Sequence, residues 1–367
     1  MMVVQNGIHR GSVKAPRSKS HEHRLLIADF LAGDDRRLAE SSDDSDDIVA
    51  TKRCLRALRS DDPTPLLDCG ESGSTRRFLD PVSAALGKRP VFKTAGRLAI
   101  RPQLNYPNIS AGSFRLPGDV SSQFVTGLLF ALPLLKGDST IRFDSPLESR
   151  GYVDMTLRVL VGAGIYISIR EDGFDVPGGQ TYRSQPDVPV EGDWSAAAFW
   201  YGMNALGSEV FVDGLEPRSA QPDGIVSDLV RRIASGWKSE QIVVDVSGCP
   251  DLFPVLSVVA AGASAQTTFV GTKRLAIKES DRTAAMADVL GRFGVECDRK
   301  EDSFVVRGGG VPFRGGRFTS FGDHRIAMSI AVGATRAEEP VEIDDAACVS
   351  KSYPGFFAEF DRTLKKT

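Results

Sequence analysis

The feature that most constrains this chain is a repetition. "LRVLVGAGIYISIREDGFDV", residues 157–176, and "ADVLGRFGVECDRKEDSFVV", residues 287–306, run in step at an offset of 130. Leu160 falls on Leu290, Gly164 on Gly294, Glu171-Asp172 on Glu301-Asp302, and Phe174 on Phe304. Each copy reads as the end of a helix, a Gly stop, a short strand, a charged turn and a second strand. A repeat this long predicts two similar halves. The length of 367 residues, more than one ordinary core organises, predicts two domains.

A second pattern recurs four times. "SSQFVTGLLFALPLL" from Ser121, "DWSAAAFWYGMNAL" from Asp193, "DLFPVLSVVAAGA" from Asp251 and "DHRIAMSIAVGA" from Asp323 each open on Ser or Asp. Both residue types cap helix starts well, and each segment continues as a helix apolar nearly all round, hence buried on most sides. Thr/Val-rich strands follow, as in "STIRF" and "TTFV". "DDIVATKRCLRALRS" and "IVSDLVRRIASG" supply amphipathic surface helices. The pattern predicts repeated βα units with one buried helix per unit, and capped helix starts on the side where a ligand would lie.

Composition narrows the functional classes. Apolar content of 41% and charge of 25% fit a soluble globular protein. A net charge of −3 speaks against a chain-wide nucleic-acid or anionic-membrane surface. No stretch is long and apolar enough to span a bilayer, and "MMVVQNGIHRGS" lacks a signal-peptide core, so a cytoplasmic protein is expected. The five cysteines are scattered without a C-x-x-C pair, and the close histidines, His21 and His23, would point apart on a helix. Neither a disulfide framework nor a metal site is predicted.

Positive charge concentrates instead at predicted helix starts. "APRSKSHEHRLL" puts Arg17, Lys19 and Arg24 where the helix dipole is already positive, which is unfavourable unless an anion is held there. Lys19, Ser20 and Arg24 can face one ligand. "DCGESGSTRRF" turns from strand to helix, with free backbone N–H groups able to cradle an anion. "GDVSSQF" offers Ser121, Ser122 and Gln123 where capping needs one side chain. "KRLAIKESDR" sets Glu279 between Lys278 and Arg282, an acid/base candidate flanked by cations. Arg325 starts an otherwise apolar helix and needs an anionic partner. Lys351 lies in "CVSKSYPGFF". Singly, each also fits a capped helix or a solvated turn. Together, with no metal cluster and with isolated carboxylates, they describe a transferase or isomerase that handles small phosphate-bearing anions.

As an ordered set, "RSKSHEHR", "ESGSTRR", Gly96-Arg97, "VSSQF", "ESRGY", "CPDLFP", "KESDR", "GDHRIAM" and "SKSYPGF" resemble the 5-enolpyruvylshikimate-3-phosphate (EPSP) synthase family over residues 15–357. The resemblance implies an α/β (α+β) fold of two inside-out α/β barrel domains built from repeated βαβαββ units. It implies a domain of residues 19–190 on the shikimate 3-phosphate side. Residues 1–18 plus 191–367 would form the second, on the phosphoenolpyruvate (PEP) side and carrying the acid/base residues, with the active site in the cleft between. The implied reaction moves the enolpyruvyl group of PEP onto the 5-hydroxyl of shikimate 3-phosphate. It uses no metal or other cofactor, small-molecule substrates rather than nucleic acid or membrane, and a monomeric enzyme. By resemblance, Lys19, Ser20, Arg24, Ser121, Ser122, Gln123, Ser149, Asp251 and Lys278 match shikimate-3-phosphate contacts. Lys19, Gly73, Arg97, Gln123, Arg282, Arg325 and Lys351 match PEP contacts, and Asp251, Glu279 and Lys19 match acid/base candidates. Guanidinium groups suit a ligand with a carboxylate and a phosphate, since either can be gripped in bidentate fashion.

The chain also departs from the family pattern. It is short between Arg101 and Ser121 and between "LRALRS" and "LLDCG", so one N-terminal repeat is expected to be incomplete. Arg150-Gly151 stands where the family more usually has Lys-Pro, and Glu71 where it commonly has Asn. A carboxylate there repels PEP unless it turns away or pairs with Arg76. Two alternatives use related sites, the first with the same fold and donor, the second with the phosphate sites alone. UDP-N-acetylglucosamine enolpyruvyl transferase normally uses a loop Cys, but no Cys lies between Cys69 and Cys249. A degenerate, non-catalytic phosphate-ligand-binding homologue would not need Asp251, Glu279, Arg325 and Lys351 intact.

Overall fold

In the computed structural model, which describes residues 1–236, 241–310 and 312–365, the repeated segments close two four-stranded sheets of one design. The first runs Ser113–Leu116, Ser139–Phe143, Gly173–Val176, Ser168–Arg170, its first two strands parallel and the others antiparallel. The second runs Gln241–Asp245, Gln266–Val270, Ser303–Arg307, Cys297–Arg299 with the same directions. Helices Ser122–Ala131 and Arg150–Gly162 cross over in the first, Phe253–Gly262 and Arg282–Phe293 in the second. Each is therefore one βαβαββ unit. The registers agree as well: Phe174 lies opposite Ile141 and Phe304 opposite Phe269, all fully buried. The repeated Phe is thus a core position in both sheets, where a one-residue slip would turn it to solvent.

The chain divides into two compact units, Lys19–Val190 and Met1–Ser18 with Glu191–Thr367, each with its own apolar core. Helices Ser122–Ala131, Trp194–Ala205, Phe253–Gly262 and His324–Ala334 are buried on nearly every side. The strands alternate instead: Ile242 and Val244 point inward between exposed Gln241, Val243 and Asp245. Apolar helices at the centre and one-sided sheets outside make each unit an inside-out α/β fold.

Three of the four expected caps are present. Ser121 Oγ accepts from Gln123 N (3.3 Å), Asp193 Oδ1 from Ala196 N (2.9 Å) and Asp323 Oδ1 from Arg325 N (3.0 Å). Asp251 is a correction. Its helix starts at Phe253 behind Leu252, with no side-chain cap. Pro254 removes one donor from the first turn, and the Asp251 carboxylate is engaged by arginines instead.

Lys19–Val190 is built more sparely. Strand Leu66–Gly70 pairs in parallel with Val91–Thr94 and the sheet stops there. In the complete units the corresponding second strand has an antiparallel partner on its other edge. Residues 95–112 hold a 3-10 turn, Gly96–Ala99, and no strand. Leu104, Tyr106 and Ile109 from this stretch pack on the core. Helices Gly73–Ala85 and Ser122–Ala131 meet closely. Pro81 cannot donate to Arg77 O, and Gly127 backs onto that carbonyl: a Cβ there would lie 2.5 Å from it. This approach sets Gln123 beside the start of the neighbouring helix.

Candidate active site

In Lys19–Val190 the candidates collect at helix starts. Arg24, buried in helix Lys19–Leu31, donates from Nε to Thr156 Oγ1 (2.8 Å), from Nη1 to Ser20 O (2.5 Å) and from Nη2 to Tyr152 O (2.9 Å). Its guanidinium lies 5.3 Å from the Phe78 ring centre. Burial pushes its pKa down to about 10, so it stays charged at neutral pH. Lys19 Nζ donates to Asp47 Oδ2 at 2.8 Å. Ser72 caps helix Gly73–Ala85 by accepting from Thr75 N (3.3 Å). A Cβ on Gly73 would come 3.4 Å from Gln123 Oε1. Gln123 donates to Ser74 Oγ (3.0 Å) and accepts from Arg77 Nη1 (2.5 Å). Gly73, Gln123, the Ser121 cap and buried Ser122 therefore adjoin. Ser149 is buried at the start of helix Arg150–Gly162 with φ of 54°, and Arg97 follows the turn at Gly96. Glu71 turns onto that turn, where a Cβ on Gly96 would collide with its carboxylate. Arg76 binds Asp80 (3.1 Å) and Asn105 (2.6 Å) rather than Glu71.

In the other unit the charges converge. Arg282, 1% exposed, donates from Nε to Asp323 Oδ2 (2.9 Å), from Nη1 to Asp251 Oδ1 (2.7 Å) and from Nη2 to Glu279 Oε2 (3.0 Å). Arg325 Nη2 donates to Asp251 Oδ2 (2.8 Å), and Lys278 Nζ lies 4.0 Å from Asp251 Oδ1. Ser280 Oγ donates to Asp323 Oδ2 (2.9 Å). The expectation of isolated carboxylates is thus corrected: Asp251, Glu279 and Asp323 share one guanidinium. They come from three separate segments, and only the folded chain brings them together. Lys351 is buried at the end of the 3-10 turn Ala346–Lys351, which packs on the helix carrying Arg325.

Electrostatics follow from this arrangement. Burial works against an ionised Asp251, but Arg325, Arg282 and Lys278 outweigh it and hold the carboxyl well below the usual carboxylate range. Burial pushes Lys278 down to about 8, with Asp251 partly opposing, so this amine titrates near neutrality. Burial opposes charge on Arg282 too, yet Asp323, Asp251 and Glu279 keep it protonated. The site can hold a carboxylate or phosphate by charge-assisted bonds and offers several groups for proton transfer. Sequence reasoning missed Asp47, Tyr152, Thr156 and the pairing role of Asp323. Only Asp323 carried a signal, as a helix cap. Among the described residues no group of His, Cys, Asp and Glu could hold a metal ion.

The fold defines an enolpyruvyl transferase architecture. It matches EPSP synthase from Acinetobacter baumannii with a TM-score of 0.73 at 23% identity, covering 99% of this chain and 98% of that one. It also matches the enolpyruvyl transferase NikO from Streptomyces tendae with a TM-score of 0.66 at 12% identity, covering 98% and 96%. A family model, EPSP synthase (3-phosphoshikimate 1-carboxyvinyltransferase), matches residues 62–360. The 3-phosphoshikimate 1-carboxyvinyltransferase of Clostridium kluyveri is 38% identical over 95% of this chain and 94% of its own. That of Clostridioides difficile is 35% identical with the same coverage. The chain belongs to the EPSP synthase family. The alignment with the Clostridium kluyveri protein has 405 positions against the 367 residues of this chain, so that relative carries internal segments missing here.

Proposed function

We propose that this chain transfers the enolpyruvyl group of PEP to the 5-hydroxyl of shikimate 3-phosphate, giving 5-enolpyruvylshikimate 3-phosphate and phosphate. The observation that carries the reading is the clasp of Arg282 and Arg325 on one partly exposed carboxylate, beside Glu279 and Lys278. In this reading Arg24, Ser20, Lys19, Ser121, Ser122, Gln123, Ser149, Asp251 and Lys278 bind shikimate 3-phosphate. Arg282, Arg325 and Lys351 bind PEP, with Gly73, Arg97, Gln123 and Lys19. A proton delivered to the methylene carbon of PEP makes C2 electrophilic. The 5-hydroxyl attacks C2 as Asp251 accepts its proton, forming a tetrahedral ketal. Proton loss and expulsion of phosphate then restore the enol ether, with Glu279 and Lys19 as the remaining proton carriers. The substrates are small and soluble, and no helix among the described residues is long and apolar enough to cross a membrane. The reading places a monomer in the cytoplasm.

The test is phosphate release from PEP with and without shikimate 3-phosphate. Release that requires the acceptor supports transfer, and none with both substrates present refutes it. The two-stranded sheet Leu66–Gly70/Val91–Thr94 favours a second reading, a binding protein without turnover. That reading is selected if shikimate 3-phosphate binds in calorimetry but no phosphate appears.

A further inference from the structure

We propose that Asp251 stands in for the carboxylate of PEP: in the ligand-free protein it occupies the grip of Arg282 and Arg325, and the incoming anion takes over that grip and releases it. The proposal rests on the assignment of those arginines to PEP made above. Each Asp251 oxygen accepts from a different guanidinium, at 2.7 and 2.8 Å, which is how two arginines would hold a ligand carboxylate. The Asp251 side chain is 21% exposed, whereas those of Arg282 and Arg325 are 1% and 6% exposed. The guanidiniums show little surface to solvent, and the nitrogens that face the aspartate are taken by it.

Two further observations make the exchange feasible. Arg282 is held through Nε by Asp323 and through Nη2 by Glu279, so Nη1 can change partner without the side chain moving. Asp251 does not cap the helix it precedes, so its carboxylate can swing away without uncapping a helix start. Charge points the same way. Lys278, Arg282 and Arg325 balance Asp251, Glu279 and Asp323 within this linked set. An added carboxylate brings further negative charge to these arginines, and release of Asp251 from them offsets it. The released carboxylate has free lone pairs for a substrate hydroxyl. Having lost two adjacent cations, it is also a stronger base than in the resting protein. Asp251 would thereby become a competent proton acceptor only after PEP is bound.

The proposal makes a counter-intuitive demand: removing the catalytic carboxylate should tighten PEP binding. Calorimetric titration of PEP without shikimate 3-phosphate should show Asp251→Asn binding at least about tenfold more tightly than wild type, since a charge-assisted contact no longer has to be broken. Asp251→Ser should behave alike and serves if the Asn variant does not fold, with melting temperature as the check. Unchanged or weaker PEP binding in a folded variant overturns the proposal. Phosphate release by the wild type is measured alongside. An active wild type whose Asn variant binds no tighter removes this inference alone, whereas an inactive wild type whose Asn variant binds tighter removes the functional reading alone.

Discussion

Lowering the pH from 7 to 4.5 should destabilise both units, Lys19–Val190 through buried His23 and the other through buried His9. In Lys19–Val190, His23 is fully buried, with Nδ1 2.8 Å from Thr51 Oγ1 and no partner on Nε2. Burial pushes its pKa down to about 3, with Asp47 opposing and Lys19 and Arg24 assisting. In the other unit His9 is buried with Nδ1 3.0 Å from Thr363 Oγ1, and burial pushes it down to about 4. The sign follows from proton counting. The unfolded chain protonates these rings near the ordinary value of about 6.5, the folded chain only far lower. Below about 6.5 the unfolded state therefore binds more protons, and stability falls as pH drops. At pH 4.5, roughly two units below that value, each ring costs about 2.5–3 kcal/mol at about 1.4 kcal/mol per unit. That is a large share of a typical stability of about 5–15 kcal/mol. Urea unfolding at pH 7 and 4.5 should be compared for wild type and His23→Asn. The amide can still bond Thr51 but does not titrate. The variant should be less stable at pH 7 yet lose about 2.5 kcal/mol less on acidification. Identical losses in the two proteins would refute the argument, because carboxylate titration is common to both.

Three further predictions rest on single contacts. Gly127→Ala forces a Cβ to 2.5 Å from Arg77 O and should cost about 1–3 kcal/mol in urea unfolding; a cost near zero would mean that the two helices are not held in this contact. At Ser149, whose φ is 54°, Ser149→Gly should be more stable than Ser149→Ala by about 1 kcal/mol, and the reverse order in thermal melts would dismiss backbone strain there. Arg325→Ala should raise the KM for PEP tens- to thousands-fold, the consequence of losing a buried charge-assisted contact worth about 2–5 kcal/mol, and should leave that for shikimate 3-phosphate nearly unchanged. Arg325→Lys should restore only part, and an equal loss for both substrates with a lowered melting temperature would make Arg325 a fold-supporting residue.

What could be read from the sequence was local. The repeat was visible because core Phe174 and Phe304 and the stops at Gly164 and Gly294 fall at one spacing. The caps at Ser121, Asp193 and Asp323 were visible because a helix start satisfies its donors with a neighbouring side chain. Asp251 has the same local signature, yet its carboxylate bonds to Arg282, 31 residues on, and Arg325, 74 residues on. No periodicity encodes that choice. Lys19 finds Asp47, 28 residues away, and Arg24 finds Thr156, 132 residues away, and these partners look like ordinary helix residues until the chain is folded. The expectation for Glu71 was half local. That it should avoid PEP follows from charge; that it settles over Gly96 depends on how the strand Val91–Thr94 ends.

Backbone strain joins these observations. Among the described residues the non-glycine positions with positive φ are Ser149, Phe321 and Asp345, a conformation that costs a residue with a Cβ about 1–2 kcal/mol. Each stands just ahead of an element that holds or bears a candidate: helix Arg150–Gly162, whose Tyr152 and Thr156 hold Arg24; helix His324–Ala334, with Arg325; and the turn Ala346–Lys351, with Lys351. The last two are tied together. Asp323 N donates to Ser320 O (3.0 Å) across Phe321 and Gly322, and Ser320 N donates to Asp344 Oδ1 (2.7 Å), the residue before strained Asp345. One aspartate thus links the turns that aim Arg325 and Lys351. Unfavourable backbone persists only where the surroundings over-determine it. Here the surroundings fix the directions of two cation-bearing elements before any ligand arrives. An anion that meets them is spared that ordering cost, which is the condition for preorganised electrostatic catalysis.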